Sequence, residues 1–488
     1  SSTKSKVRDI SPGKFCTASG HSLATESGLK ILKSGGSSVD AALSMAFTQW
    51  AVSAPTCGPG GDMFVMHVDC SAEQLITSVF GGWSRSPIGL NSETDLIYSG
   101  AQGAVVPGAL KGAEAAWISK GRLPWRDLFN DSISACNGHE VTGWMSNCYA
   151  DVERRGHGSA LVNFFDDGAI FAKGATVSSS RFGDTLSALS QNGASDFYQG
   201  ELARIICEES AKVGSRIRIE DLEAQTATVE RGTTSNLGDI KLTYPGRPSQ
   251  ASILVELLEG VSKNLKSTEV EFAKIIAPRT KKSLIDRCIT GIPGTAVSMA
   301  SDGNSLAVAV HSLAGVQFGT GWIAGDTGIA FGNRLGTSSS NRKDLPAANP
   351  IPGGVLPHTL SAALVERNGE LLLIATPGGD RQVQWLAQAV QNFRQGLTIK
   401  EIVTRPRWFI CPEGNRFGVP EGIDNEWFMF AESGIDWCDE ITMAGFDVRK
   451  VASVGGGLQA ISFEDNQWLT ESDPRSGGSA SRFENQHV

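Results

Sequence analysis

The feature that most constrains this chain is the stretch Gly291-Ile292-Pro293-Gly294-Thr295-Ala296-Val297-Ser298-Met299-Ala300-Ser301-Asp302-Gly303-Asn304-Ser305-Leu306-Ala307-Val308. A Gly/Pro bend delivers the backbone to Thr295 and an alternating strand follows. Asp302-Gly303 makes a hairpin turn, and a second strand of small apolar residues returns. A hydroxyl at the first position of a buried strand becomes a nucleophile if the chain is cut just before it. The freed α-amine then lies beside the hydroxyl as its base. The same residues also read as an ordinary hairpin whose threonine merely opens a strand.

At 488 residues the chain suffices for one large α/β body or for two to three domains. Charged residues make up 19%, below the usual quarter, and apolar residues 40%, which points to much buried surface. The net charge is −9, and the densest basic cluster, Arg279-Thr280-Lys281-Lys282, reads as a solvated helix face. No nucleic-acid partner is expected. Nine cysteines (Cys16, Cys57, Cys70, Cys136, Cys148, Cys207, Cys288, Cys411 and Cys438) form no Cys-x-x-Cys and sit at no zinc-finger spacing from histidine. Buried free thiols are favoured, one or two disulfides stay open, and no metal or other cofactor is expected. No run of 18 apolar residues and no signal peptide is visible, so no membrane partner is expected. The opening Ser1-Ser2-Thr3-Lys4 lacks an initiator Met, which points to trimming and leaves localisation open.

Helical spacing runs from Leu23 to Leu32, from Val39 to about Trp50, from Asp184 to Gly193 and from Glu201 to Val213. A helix over Leu254–Leu258 reads as continuing to about Ile276, and others cover Val383 to Gln395 and Glu401 to Val403. Met63 to Val68, Ile240 to Tyr244, Gly325 to Phe331 and Leu371 to Ala375 read as strands. The loop Cys57-Gly58-Pro59-Gly60-Gly61-Asp62 lacks a Gly-Lys-Ser/Thr ending and precedes a strand, which argues against a phosphate cradle. No repeat or low-complexity linker appears, so one α/β body is favoured.

Several short motifs fall in one order: Gly20-His21-Ser22-Leu23-Ala24-Thr25-Glu26-Ser27-Gly28-Leu29, Gly35-Gly36-Ser37-Ser38-Val39-Asp40-Ala41-Ala42, Gly58-Pro59-Gly60-Gly61, Val106-Pro107-Gly108, Leu123-Pro124-Trp125, Phe197-Tyr198-Gln199-Gly200, Thr376-Pro377-Gly378-Gly379-Asp380-Arg381 and Ser472-Asp473-Pro474-Arg475. In that order they resemble the gamma-glutamyltranspeptidase family, over about residues 14 to 483. The resemblance implies an α/β fold, the four-layer αββα sandwich of the N-terminal-nucleophile hydrolases. It implies a large-subunit-like segment 1–294 and a small-subunit-like segment 295–488, separated by self-cleavage before Thr295. It places the nucleophile at Thr295 and oxyanion-hole glycines at Gly378 and Gly379, whose backbone N–H groups can approach a developing charge unobstructed.

The departures from the family pattern bear on substrate. Val297 stands where relatives carry a His two residues after the nucleophile. The arginine that holds a γ-glutamyl α-carboxylate aligns with Trp83, with Arg85 two residues on. No acid stands near Gly336-Thr337 to hold an α-amine, and the family's paired serines align with His358-Thr359. Charged head groups need opposite charges in a desolvated pocket, so these changes argue against γ-glutamyl donors. A supporting threonine on the return strand falls at His311-Ser312. With an ideal two-residue turn Ser312 shares the face of Thr295, and a one-residue slip would bring His311 there instead. The connection between the Leu254–Leu258 helix and Thr295 is short for a cleavable linker.

Three readings follow, all for a small-molecule ligand and with an oligomer possible. The first is a Thr295 amidohydrolase or acyltransferase on a non-γ-glutamyl amide, its pocket shaped by Trp83, Arg85, Ser312 and Thr359. The second is an uncut relative doing cyclisation, isomerisation or elimination on a small apolar metabolite, with His311 and His358 moving protons. The third is a non-catalytic binding protein.

Overall fold

Alternation along the central hairpin decides the layering. Strands Thr295–Ser301 and Ser305–Ser312 pair antiparallel. On one face Val297, Met299, Leu306, Val308 and Val310 pack against Leu364, Leu371, Leu373 and Ile461 of a second sheet. On the other face Ala296, Ala300, Ala307 and Ala309 lie in a core with Phe47 and Trp50 of the helix Ser38–Val52. These small side chains let the helix sit low on the sheet, and every one of its residues is buried, its polar ones included. Its start is fixed by a capping box between Ser37 and Asp40. The far face of the second sheet (Val365, Leu372, Ile374 and Ala460) packs with helices Ile253–Leu258, Glu269–Arg287 and Arg381–Arg394. Three cores therefore separate four layers, the αββα sandwich that the family resemblance implies.

The computed structural model describes residues 14–91, 99–261, 269–287, 294–315, 317–337, 350–413 and 426–484. Cys288 and the bend residues Gly291, Ile292 and Pro293 lie outside them. The first sheet has the order Ser479–Glu484, Lys14–Ser19, Thr295–Ser301, Ser305–Ser312, Asp62–Asp69, Ile76–Gly82, Thr228–Arg231. The second has the order Gln467–Ser472, Gln459–Glu464, Glu370–Ala375, Ala362–Arg367, Lys241–Tyr244, Thr233–Asn236. Strands from both sides of Gly294 contribute to each sheet. Among the described residues no helix is long and apolar enough to cross a membrane, and no disulfide joins any two of the eight described cysteines.

Two elements differ from the reading of the sequence. The helix Ile253–Leu258 does not run on to Ile276: it stops at Glu259, and Gly260 turns left-handed at φ 72° before a new helix begins at Glu269. Gly325 to Phe331 is not a strand. Gly325 and Gly328 both adopt positive φ, and only a single bridge, Ile323 to Ala330, pairs this loop with itself.

Register carries the fold to the site. Thr295 lies directly across from Ser312, and Ser312 directly across from Asp62. The three side chains therefore share the inter-sheet face at one end of the sandwich. The glycine loop before Asp62 closes this end. A Cβ on Gly61 would come within 1.9 Å of the Ser312 carbonyl oxygen, and one on Gly60 within 1.8 Å of the Ala330 oxygen. We expect Gly61→Ala to lower stability by about 1–3 kcal/mol or more, read as a lower unfolding temperature; an unchanged melt would contradict this packing.

Five of the seven histidines are buried and held below their ordinary value of 6.5 chiefly by burial: His21 and His67 down to about 4, His311 and His358 down to about 3, and His139 in the same direction. The folded chain leaves them neutral where the unfolded chain binds protons. Their contribution is therefore present above about pH 6.5 and is lost as pH falls towards 4 and then 3. Asp380, pushed up to about 7 by burial, opposes this with one proton. Denaturant midpoints should fall steadily between pH 7 and pH 5, and a flat or rising profile would contradict neutral burial of these imidazoles.

Candidate active site

Thr295 begins its strand at the floor of a cavity of about 260 Å³. The cavity is bounded by Gly294 to Val297 on the first sheet, by Pro377, Gly378, Arg381 and Trp385 after the strand Glu370–Ala375, by Val454 to Gly457, and by Trp144 and Met145. Thr295 is 5% exposed. Its Oγ1 accepts a hydrogen bond from Gln382 Nε2 at 3.3 Å, and Gln382 Oε1 accepts the Ser361 N–H at 2.9 Å, so the amide is held from both ends.

Across the hairpin, Ser312 Oγ donates to the Gly294 carbonyl oxygen at 2.6 Å and accepts the Ala314 N–H at 2.6 Å. The carbonyl of the peptide bond preceding Thr295 is thus polarised by a hydroxyl whose own orientation is fixed. Gly294 itself sits at φ 154° and Ala314 at φ 69°, conformations that side-chain-bearing residues seldom adopt. The turn after Ser312 is consequently strained to bring the Ala314 N–H back onto the hydroxyl.

Gly378 lines the cavity and Gly379 follows it, at φ 142° and 61°. A Cβ on Gly378 would come within 2.5 Å of the Trp385 ring. Their carbonyls start the helix Arg381–Arg394 by accepting the Arg381 and Gln382 N–H groups. Neither glycine N–H has an acceptor among the described residues. The helix is anchored in turn by its glutamines. Gln384 bonds both the N–H and the C=O of Ile410, and Gln388 both those of Trp408, as a neighbouring strand would.

Beneath Ser312, Asp62 is held by Arg334 (2.8 and 3.2 Å) and by Ser84 Oγ (2.8 Å), and His358 Nδ1 lies 3.4 Å away. Burial would push this carboxyl up. The Arg334 guanidinium, His358 and the donated hydrogen bonds outweigh it, so the pKa is lowered from 3.8. The group is a buried, ionised brace under the hairpin end.

His311 points to the other face of its strand. Its Nδ1 accepts from Trp50 Nε1 at 3.1 Å and its Nε2 faces Gln49 Oε1 at 3.0 Å, while Gln49 also accepts from Ser298 Oγ at 2.6 Å. The register therefore puts Ser312, and not His311, beside Thr295. His358 is fully buried against Trp83, ring centroids 4.9 Å apart, and neither lines the cavity. Trp83 donates to Thr228 Oγ1 at 3.1 Å and Arg85 to Gln225 Oε1 at 3.1 Å and the Gly353 carbonyl at 3.3 Å. Trp83 thus ties to the edge strand Thr228–Arg231 and Arg85 to the surrounding loops, and neither lines the cavity. Thr359 is buried beside His358 and is likewise absent from the lining.

The residues that sequence reasoning missed are Gln382, Gln49 and Arg381. Gln382 directly follows the Gly378-Gly379-Asp380-Arg381 motif, and that adjacency was the available signal. The Ser472-Asp473-Pro474-Arg475 motif also gains a role. Asp473 pairs with Arg407 (2.6 Å) and Arg475 (3.1 Å), Arg475 pairs with Glu432 (2.6 Å), and Arg407 Nη2 donates to the Gly455 carbonyl at 2.8 Å. This network pins the Gly455 to Gly457 wall of the cavity.

Comparison with known proteins gives the family and the fold. The gamma-glutamyltranspeptidase family model matches residues 24–289 and 286–483. An oxamate amidohydrolase proenzyme of Klebsiella pneumoniae is 27% identical over 95% of this chain and 97% of its own. A glutathione hydrolase proenzyme of Escherichia coli is 23% identical over 94% of this chain and 90% of its own. The crystal structure of a cephalosporin acylase from Bacillus halodurans superposes with a TM-score of 0.81 at 21% identity, covering 99% of this chain and 98% of that one, which establishes a common fold. With its motifs in the family's order and the four layers in place, the chain belongs to the gamma-glutamyltranspeptidase family and is an enzyme of that family's hydrolase and transferase kind.

Proposed function

We propose that the chain cuts itself before Thr295 and then acts as a Thr-nucleophile amidohydrolase or acyltransferase on an amide that is not γ-glutamyl. The observation that carries this reading is the pairing of Ser312 Oγ with the Gly294 carbonyl at 2.6 Å, beside a Thr295 hydroxyl held by Gln382. Attack of Thr295 Oγ on the Gly294 carbonyl carbon breaks the Gly294–Thr295 C–N bond. The nitrogen gains a proton and becomes the α-amine, and the acyl group moves to oxygen. Water then hydrolyses that ester. Ser312 stabilises the charge that develops on the carbonyl oxygen during attack.

In the second phase the freed α-amine takes the Thr295 proton as the hydroxyl attacks a substrate amide, and returns it to the leaving amine. The unengaged N–H groups of Gly378 and Gly379 receive the oxyanion. Water or an amine then releases the acyl group. Division of the chain into segments 1–294 and 295–488 follows from this reading. Among the described residues no Asp or Glu lines the cavity to hold an α-ammonium, which supports a donor other than γ-glutamyl. Because His311 and His358 both lie outside the lining, nothing in the arrangement favours the proton-transfer alternative.

Dividing 51.6 kDa by chain length, denaturing gels of purified protein should show fragments of about 31 and about 21 kDa. Thr295→Ala should remain a single band and lack amidase activity; cleavage of that variant at the same bond would refute the reading. Ser312→Ala should slow self-cleavage by about 10²-fold, the scale of losing one oxyanion donor, measured from the band ratio over time. Cleavage at the wild-type rate would remove Ser312 from the mechanism.

A further inference from the structure

Among the described residues a single side chain, that of Gln382, is hydrogen-bonded to the Thr295 hydroxyl. Ser312 lies across the hairpin, but its hydroxyl is committed to the Gly294 carbonyl and the Ala314 N–H. Gln382 is fully buried on the first turn of the helix Arg381–Arg394. Its amide can be turned only one way. The Ser361 N–H, 2.9 Å away, can only donate, so Oε1 must face it and Nε2 must face Thr295. An amide N–H can likewise only donate, so Thr295 Oγ1 is the acceptor at 3.3 Å. The hydroxyl proton is therefore excluded from this side of the oxygen and left free for a base elsewhere. The backbone N–H of the same residue donates to the Gly379 carbonyl at 3.2 Å. Gln382 thus ties the nucleophile to the glycine turn through one residue and fixes their separation.

We propose that Gln382 is a catalytic residue, whose Nε2–H stabilises the negative charge on Thr295 Oγ1 as its bond to the acyl carbon forms and as it breaks. The proposal rests on Thr295 being the nucleophile. In acylation the Oγ1 proton passes to the freed α-amine, and the oxygen is most negative before the new C–O bond is complete. In deacylation the α-amine takes a proton from the attacking water. The C–Oγ1 bond then breaks, its electron pair stays on Oγ1, and the α-ammonium returns the proton to that oxygen. In both directions the amide holds the charge without gaining or losing a proton itself. A donor aimed at charge that exists chiefly in the transition state speeds the chemical step and adds little to substrate binding. At 3.3 Å the bond is long in the free enzyme, as catalytic hydrogen bonds often are before they tighten around the reacting state.

The test compares wild type with Gln382→Met and Gln382→Glu. Methionine matches glutamine in length but offers no donor. Self-cleavage of freshly translated chains needs no substrate: Gln382→Met should cleave about 10²-fold more slowly than wild type, the scale of one such donor. In cut enzyme, assayed on whichever of acetyl- and pentanoyl-p-nitroanilide the wild type turns over faster, kcat should fall by a similar factor while KM stays within about threefold. Gln382→Glu keeps an oxygen for the Ser361 N–H, which guards against a variant that merely misfolds. Its protonated carboxyl restores a donor to Oγ1, and its ionised form presents an acceptor instead. Both its self-cleavage and its turnover should therefore approach wild type at acid pH and fall behind as pH rises. Gln382→Met within about threefold of wild type in both rates, a loss confined to KM, or a Gln382→Glu enzyme that gains on wild type as pH rises would overturn the proposal. A wild-type chain that does not cut before Thr295 would instead refute the reading of the nucleophile, so the two failures are distinguishable.

Discussion

The register of one hairpin governs the site. Pairing Ser301 with Leu306 fixes Ser312 opposite Thr295 and Asp62 opposite Ser312. A shift of one residue would send Thr295 into the alanine-rich helical core and put Ala296 on the inter-sheet face in its place. The two faces are chemically unlike, large aliphatics towards the second sheet and alanines towards the buried helix. That difference makes the register costly to change, since a slip would force methionine and valine against the helix and leave voids between the sheets. The same alternation that builds the core therefore orients the hydroxyls.

Around this row, several buried polar groups are held in charged and hydrogen-bonded networks. Asp62 has arginine, serine and histidine about it, His311 has Trp50 and Gln49, and Asp473 has two arginines. These buried networks brace the wall and floor of the cavity, and removing one partner would strand the other in a water-poor interior. Among the open groups are the amides of Gly378 and Gly379 and the Nε of Arg381. All three belong to the turn that leads into the helix Arg381–Arg394. That turn leaves backbone donors beside Thr295 without an acceptor among the described residues.

Much of the architecture was legible in the sequence because it follows local rules. The helix over Ser38–Val52 carries its capping residues, the helix Glu201–Val213 matches its amphipathic span, and Asp302-Gly303 marks the hairpin. Where local rules misled, the cause was glycine. Gly260 ends a helix whose apolar spacing continues, and Gly325 with Gly328 bend an apolar run that reads as a strand. The site was less accessible, since its decisive contacts span long separations: Gln382 reaches Thr295 across 87 positions and Gln49 reaches His311 across 262. The two histidines looked available because isolated imidazoles suit proton transfer, but no one-dimensional pattern conveys that both are sealed inside networks of other residues. Trp83 and Arg85 were placed near the substrate by alignment with relatives alone, and their contacts in this chain run to Thr228, Gln225 and Gly353.

The account stands on covalent chemistry at one hydroxyl. Its most direct test is to mix the enzyme with an excess of a chromogenic p-nitroanilide that it turns over, quench in acid within the first turnover, digest, and map the acyl group by mass spectrometry. The account predicts a single acyl adduct on the peptide that begins with Thr295. An active enzyme that carries the acyl group on another side chain, or passes through the first turnover with no adduct while releasing nitroaniline in a burst, would contradict it.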